Sequence, residues 1–154
     1  MRASQVLVRR TTLRGVLLSR GVRIAARRLL ARLHSADELS VLLTDDSGIR
    51  DLNRRHRLID RATDVLSFPQ HEADELTPPV APDRATPALL GDVVISLQTA
   101  RRMKGCGSLV AEVRRLLVHG TLHLFGYDHD DPPRDDEPML ELQEQLLIEL
   151  ATTR

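Results

Sequence analysis

The chain has 154 residues, with 22 basic and 22 acidic side chains and a 42% apolar fraction. That is the balance of a soluble globular domain able to bury one core, and arginine interrupts every apolar run short of the roughly 20 residues a membrane span needs. Only Phe68, Phe125 and Tyr127 are aromatic, too few for a nucleic-acid platform built on base stacking.

In chain order, SQVLVRR (4–10) alternates apolar and polar residues and predicts an opening strand. LRGVLLSRGVRIAARRLLARLH (13–34) sets apolar residues three and four apart with arginines between them, a basic amphipathic helix. The first 36 residues hold nine arginines and no acid. Organelle transit peptides share that composition, but the periodicity here reads as folded structure. ELSVLLT (38–44) is a second strand, DDSG (45–48) a turn, IRDLNRRHR (49–57) a short helix, and DVLSF (64–68) a third strand closed by Pro69. Residues 69–88 hold five of the eight prolines and little periodicity, which predicts a mobile loop inside one domain spanning 1–154. LLGDVVISL (89–97) is a fourth strand. Helices follow at QTARRMK (98–104), at SLVAEVRRLLVHGTLHLF (108–125) and from about Asp135 to the end. Ser108 suits the N-cap of the long helix and Gly126 its C-terminal stop. The fold class expected is α+β: a small, mixed, mostly parallel four-stranded sheet packed with helices.

The zero net charge conceals an asymmetry. Residues 1–61 carry 14 arginines against 6 acids, a net +8, and residues 62–154 carry 8 basic residues against 16 acids, a net −8. Either the N-terminal part faces phosphates, or its arginines simply solvate a helix face. Cys106 is the single cysteine, so no internal disulfide is expected and a reducing compartment is.

The densest chemistry lies in HGTLHLFGYDH (119–129). On a helix, His119 and His123 share one face about 5–6 Å apart. Gly126 ends that helix, and the returning chain can bring His129 to the same point. Three neutral nitrogens on one divalent ion leave a fourth position open, the pattern of a catalytic rather than a structural zinc, at the end of a helix in the C-terminal half. Three histidines also accept nickel and copper. The spacing HxxxHxxGxxH is that of metzincin proteases, but those carry a glutamate after the first histidine, where this chain has Gly120. Glu112 falls on the same helix face about 10 Å away, suited either to supporting the ligands or to the helix dipole. Asp128 is a candidate to accept a ligand ring N–H, or only shapes the turn.

HGTLHLFGYDH resembles the signature of the YbeY family of bacterial single-strand-specific endoribonucleases. LNRRHRLIDRATDVLSFP (52–69) is similar to that family's Asn-x-x-Tyr-Arg segment followed by Thr-Asp-Val-Leu-Ser-Phe-Pro, with His56 in place of the usual tyrosine. LLGDVVIS (89–96) resembles its Gly-Asp-Ile-x-Ile-Ser strand. The resemblance implies that His119, His123 and His129 hold one divalent metal ion, zinc in the first instance, and that Arg57 is the catalytic arginine. A planar guanidinium suits a phosphate in either role, substrate binding or charge stabilisation, and Arg61 is a further candidate for substrate binding. It also implies single-stranded ribosomal RNA as substrate, maturation of the small-subunit 3′ end, ribosome quality control, assembly proteins of the small subunit as partners, and a cytoplasmic location; the composition adds that no membrane is involved. From the residues alone two rivals stay open. One is a zinc-stabilised ribosome-assembly or RNA-binding factor without catalysis; the other is a zinc peptidase or amidase.

Overall fold

The computed structural model describes residues 5–70, 87–127 and 138–152. They run β1 (Val6–Arg10), α1 (Leu13–Arg32), β2 (Glu38–Thr44), α2 (Asp46–Arg57), β3 (Val65–Pro69), β4 (Leu89–Ser96), α3 (Leu97–Met103), α4 (Leu109–Leu124) and α5 (Pro138–Thr152). The sheet order is β1-β2-β4-β3, with β1, β2 and β4 parallel and β3 antiparallel to β4 at the edge. This is the mixed, mostly parallel α+β sheet expected. Of the segment 69–88, residues 71–86 lie outside the described residues, as does the expected start of the last helix at Asp135.

Strand alternation sorts the helices onto two faces. Val41 and Leu43 of β2 and Val93 and Ile95 of β4 face one way and join Ala26, Leu29 and Leu30 of α1, Leu116 and Leu122 of α4, and Met139, Leu146 and Leu150 of α5 in the main core. Leu66 and Val94 face the other way and pack on Ile49 of α2. Helix α4 is apolar around most of its girth because it lies under α1, α3 and α5 as well as on the sheet.

Helix α2 begins three residues before the predicted position. The Asp45 side chain accepts from the Gly48 N–H at 2.9 Å, so DDSG is an N-cap and first turn rather than a separate turn. At the other end of the sheet, Gly91 has φ +150°, and a Cβ there would stand 2.4 Å from the Phe68 carbonyl oxygen. Only glycine allows β3 so close to β4 at this irregular point.

Candidate metal centre

Helix α4 carries the first two histidines, and both of its ends are closed as the sequence suggests. Ser108 accepts from the Ala111 N–H at 3.0 Å. At the C-terminus Gly126 takes φ +82°, its N–H reaching the His123 carbonyl at 3.0 Å while Tyr127 N–H reaches Leu122 at 3.1 Å. This is a Schellman closure, in which glycine adopts the left-handed conformation without a side-chain clash. It turns the chain back over the last turn of the helix.

That turn orients a ring. His123 Nδ1 lies 3.0 Å from the Tyr127 carbonyl oxygen. A carbonyl can only accept, so a neutral ring in this place carries its proton on Nδ1 and leaves the Nε2 lone pair available. One helical turn earlier, His119 Nδ1 lies 2.9 Å from Gln143 Oε1 on α5, and the same reasoning leaves its Nε2 unprotonated. The rings stand 4.7 Å apart at 82° and aim the two Nε2 atoms at each other across 3.1 Å.

Two neutral rings protonated on Nδ1 would repel at that distance, and either a proton shared between the nitrogens or a metal ion relieves this. Tetrahedral zinc with bonds of about 2.0–2.1 Å holds two nitrogens roughly 3.3 Å apart. The donor pair therefore fits a divalent ion in chemistry and in spacing. His129, the third expected ligand, and Asp128 lie outside the described residues, and among the described residues no group of three or more His, Cys, Asp or Glu is brought together.

Glu112 is engaged elsewhere. Its carboxylate takes a two-point contact from Arg115, with Nη2 at 2.7 Å and Nε at 3.2 Å, and makes no hydrogen bond to either described histidine. The hydrogen bond to Glu112 in turn pushes the half-buried Arg115 guanidinium further above its ordinary range. The position after His119 points away from the histidine pair. A Cβ on Gly120 would stand 2.9 Å from Val93 Cγ1, 3.0 Å from Ser67 Oγ and 3.1 Å from Val65 Cγ2, and Ser67 Oγ donates to the Gly120 carbonyl at 2.9 Å. A metzincin-type glutamate at this position would be driven into the sheet, away from the Nε2 pair.

Arg57 is the last residue of α2, on the sheet face opposite α4. Leu58 ends the helix with φ 59°, and the buried Asn53 holds the following loop by donating from Nδ2 to the Arg61 carbonyl at 2.8 Å. Sequence spacing cannot choose among the arginines of this segment, but their partners can. Arg50 pairs with Asp60 at 2.8 Å, Arg54 with Asp51 at 3.1 Å, and Arg55 approaches Asp51 at 3.9 Å. The guanidinium groups of Arg57 and Arg61 have no carboxylate or hydrogen-bond partner among the described residues. Both are left to meet an anion from outside. His56, where the resembled family has tyrosine, packs its ring on Phe68 with centroids 5.0 Å apart.

Sequence reasoning missed Gln143. The one available sign was a polar residue inside the apolar series Met139, Leu146 and Leu150 of α5, all at helical spacing.

A family profile described as Endoribonuclease YbeY matches residues 17–151. Proteins named Endoribonuclease YbeY from Myxococcus xanthus and Anaeromyxobacter dehalogenans are each 50% identical, over 80% and 86% of this chain. One from Aquifex aeolicus is 44% identical over 74%. The matched part makes up 40%, 64% and 71% of those three relatives, so for two of them the chain spans less than two thirds of their length. The solution structure of TM1509 from Thermotoga maritima shares the fold, with a TM-score of 0.62 at 24% identity, covering 95% of this chain and 89% of that one. Among the described residues, no helix is long and apolar enough to cross a membrane.

Proposed function

Because the chain belongs to the Endoribonuclease YbeY family, we propose that it is a metal-dependent endoribonuclease. Its substrate is single-stranded RNA, and its role is maturation of the small-subunit ribosomal RNA 3′ end and ribosome quality control in the cytoplasm. The observation that supports the metal part is the pair of Nε2 atoms facing each other at 3.1 Å, each ring held through Nδ1 by an acceptor.

His119, His123 and His129 would hold the ion, zinc in the first instance. When bound, it supplies Lewis acidity for phosphodiester hydrolysis. The chain's own residues do the rest. The acceptors at Tyr127 and Gln143 keep two rings in the ligating tautomer. Arg57, which no acid among the described residues neutralises, binds a non-bridging phosphate oxygen and offsets the charge that builds there in the transition state. Arg61 extends that contact along the strand. Helix α2, which ends at Arg57, packs on the sheet face opposite α4, so a strand that contacts both helices would have to bend. A flexible single strand bends more readily than a stacked duplex. Small-subunit assembly proteins are the expected protein partners.

Elemental analysis of wild type beside His123→Ala, each assayed on a single-stranded ribosomal RNA 3′ end, tests this reading. About one zinc per chain, lost together with cleavage in the variant, is the expected result. Metal bound with no cleavage by the wild type would leave a metal-held RNA-binding factor. A wild type free of metal after chelator-free preparation would overturn the metal reading altogether.

A further inference from the structure

We propose that Gln143 is a positioning residue for His119, fixing that ring's tautomer and direction from a different helix and so tying the seating of α5 to the strength of metal binding. The inference rests on the metal reading above.

Gln143 occupies a place where an apolar residue would be expected. Met139, Leu146 and Leu150, at helical spacing on the same face of α5, are 1%, 4% and 6% exposed, and Gln143 is 8% exposed. Burying an amide among such neighbours is unfavourable unless its polar atoms are bonded. Leucine or methionine would pack there without that cost, so the amide has to be explained by what it contacts. Its Oε1 is 2.9 Å from His119 Nδ1.

The two described histidines need this kind of help for unequal reasons. His123 stands at the helix terminus, where the chain turns back and offers the Tyr127 carbonyl. His119 lies in the middle of α4, where the carbonyls of its own helix are taken up by the i→i−4 ladder. Its acceptor must come from another element, and α5 packs against this stretch of α4. Without an acceptor on Nδ1, the ring is free to place its proton on Nε2 and to rotate. Partners that hold the outer nitrogen of a ligand histidine commonly change metal affinity by one to two orders of magnitude.

The test compares wild type with Gln143→Met and Gln143→Leu, which fill the space without an acceptor, and Gln143→Glu, which keeps one. Zinc affinity is measured by competition with a chromophoric chelator, and the His119 ring nitrogens are followed by 15N NMR in the zinc-free protein. The acceptor-free variants should bind zinc about 10–100-fold more weakly and lose the preference for a proton on Nδ1. Gln143→Glu should restore both to near wild type. Thermal melts without zinc check that Gln143→Met and Gln143→Leu are folded, so that weaker zinc binding is read in an intact α4–α5 pair. Wild-type affinity and an unchanged ring pattern in Gln143→Met would overturn the proposal. If wild type itself binds no zinc, the metal reading fails, and the ring pattern of the variants still decides whether Gln143 sets the tautomer.

Discussion

The same substitution at two helical glycines should change stability in opposite directions. Gly21 lies inside α1 with nothing within 4 Å of the place its Cβ would take, so Gly21→Ala gains helix propensity alone, about 1 kcal/mol. Gly120→Ala gains the same propensity but puts a methyl 2.9 Å from Val93 Cγ1, 3.0 Å from Ser67 Oγ and 3.1 Å from Val65 Cγ2. Carbon atoms are comfortable at roughly 3.5–4.0 Å, and two of the three neighbours are β-branched side chains that cannot rotate away. Overpacking of this kind costs about 1–3 kcal/mol, so the net effect at position 120 is a loss of about 1 kcal/mol. The two variants should therefore differ by about 2 kcal/mol. That corresponds to roughly 4–8 °C in Tm for a chain of this size, with wild type between them. Urea unfolding followed by circular dichroism reads the difference directly as a shift in midpoint at constant slope. If Gly120→Ala is stabilised as much as Gly21→Ala, helix α4 does not approach the sheet as described, and the orientation of the residue after His119 would have to be abandoned.

Arg57→Ala should lower RNA cleavage about a hundredfold or more, and Arg57→Lys should recover only part of it because the two-point fork is gone. Arg54→Ala, whose partner is Asp51, should change cleavage little; equal losses at both positions would remove the distinction drawn from ion pairing. Asp46 gives a pH signature. Burial alone would push its carboxyl up, but hydrogen bonds from Ser96, Arg102 and Thr99, with the Arg102 charge, outweigh that and hold it down to about 2. A depressed folded-state value means its stabilisation is complete above the ordinary carboxylate range and is lost as the pH falls from about 4 toward 2. Asp46→Asn should flatten the fall of Tm over that interval, and an unchanged slope would assign the acid transition to other groups. Leu58 is 90% exposed with φ 59°, a left-handed conformation that asparagine tolerates better. Leu58→Asn should raise the urea midpoint by the equivalent of about 0.5–1 kcal/mol, and a fall would mean that the leucine side chain contributes packing there.

The order and type of the described elements were legible in the sequence because each has a strong local period. α4 was marked at both ends by residues whose capping chemistry is local, Ser108 and Gly126. What needed the fold was whatever depends on partners distant along the chain. The early start of α2 was hidden because Asp-Asp-Ser-Gly serves equally as a turn or as a cap and first turn. The close pairing of Gly120 with β3 and β4 turns a residue that reads as a missing base into a packing requirement. Arg57 and Arg61 could be told apart from Arg50, Arg54 and Arg55 only after Asp51 and Asp60 were seen to pair with those three. Gln143 comes from α5, and no spacing rule links a glutamine to a histidine on another helix. Glu112 was placed on the right face of α4, but Arg115, one turn along the same helix, holds its carboxylate.

Because β4 lies between β2 and β3 in the sheet, a growing chain makes β3 before the strand it pairs with exists. Until residues 89–96 have been synthesised, β2 and β3 both lack the strand they pair with in the finished sheet, and β3 has no other neighbour. Open edges recruit other chains. The strand is short, and it ends in Pro69, which has no N–H to offer a neighbour, so little of it can act as a template. Insertion of β4 then joins both halves of the sheet in one non-local step, the kind that is slow to form. The period of greatest exposure to misassociation thus lasts until residue 96 has been translated, and a translational pause between residues 70 and 96 would lengthen it.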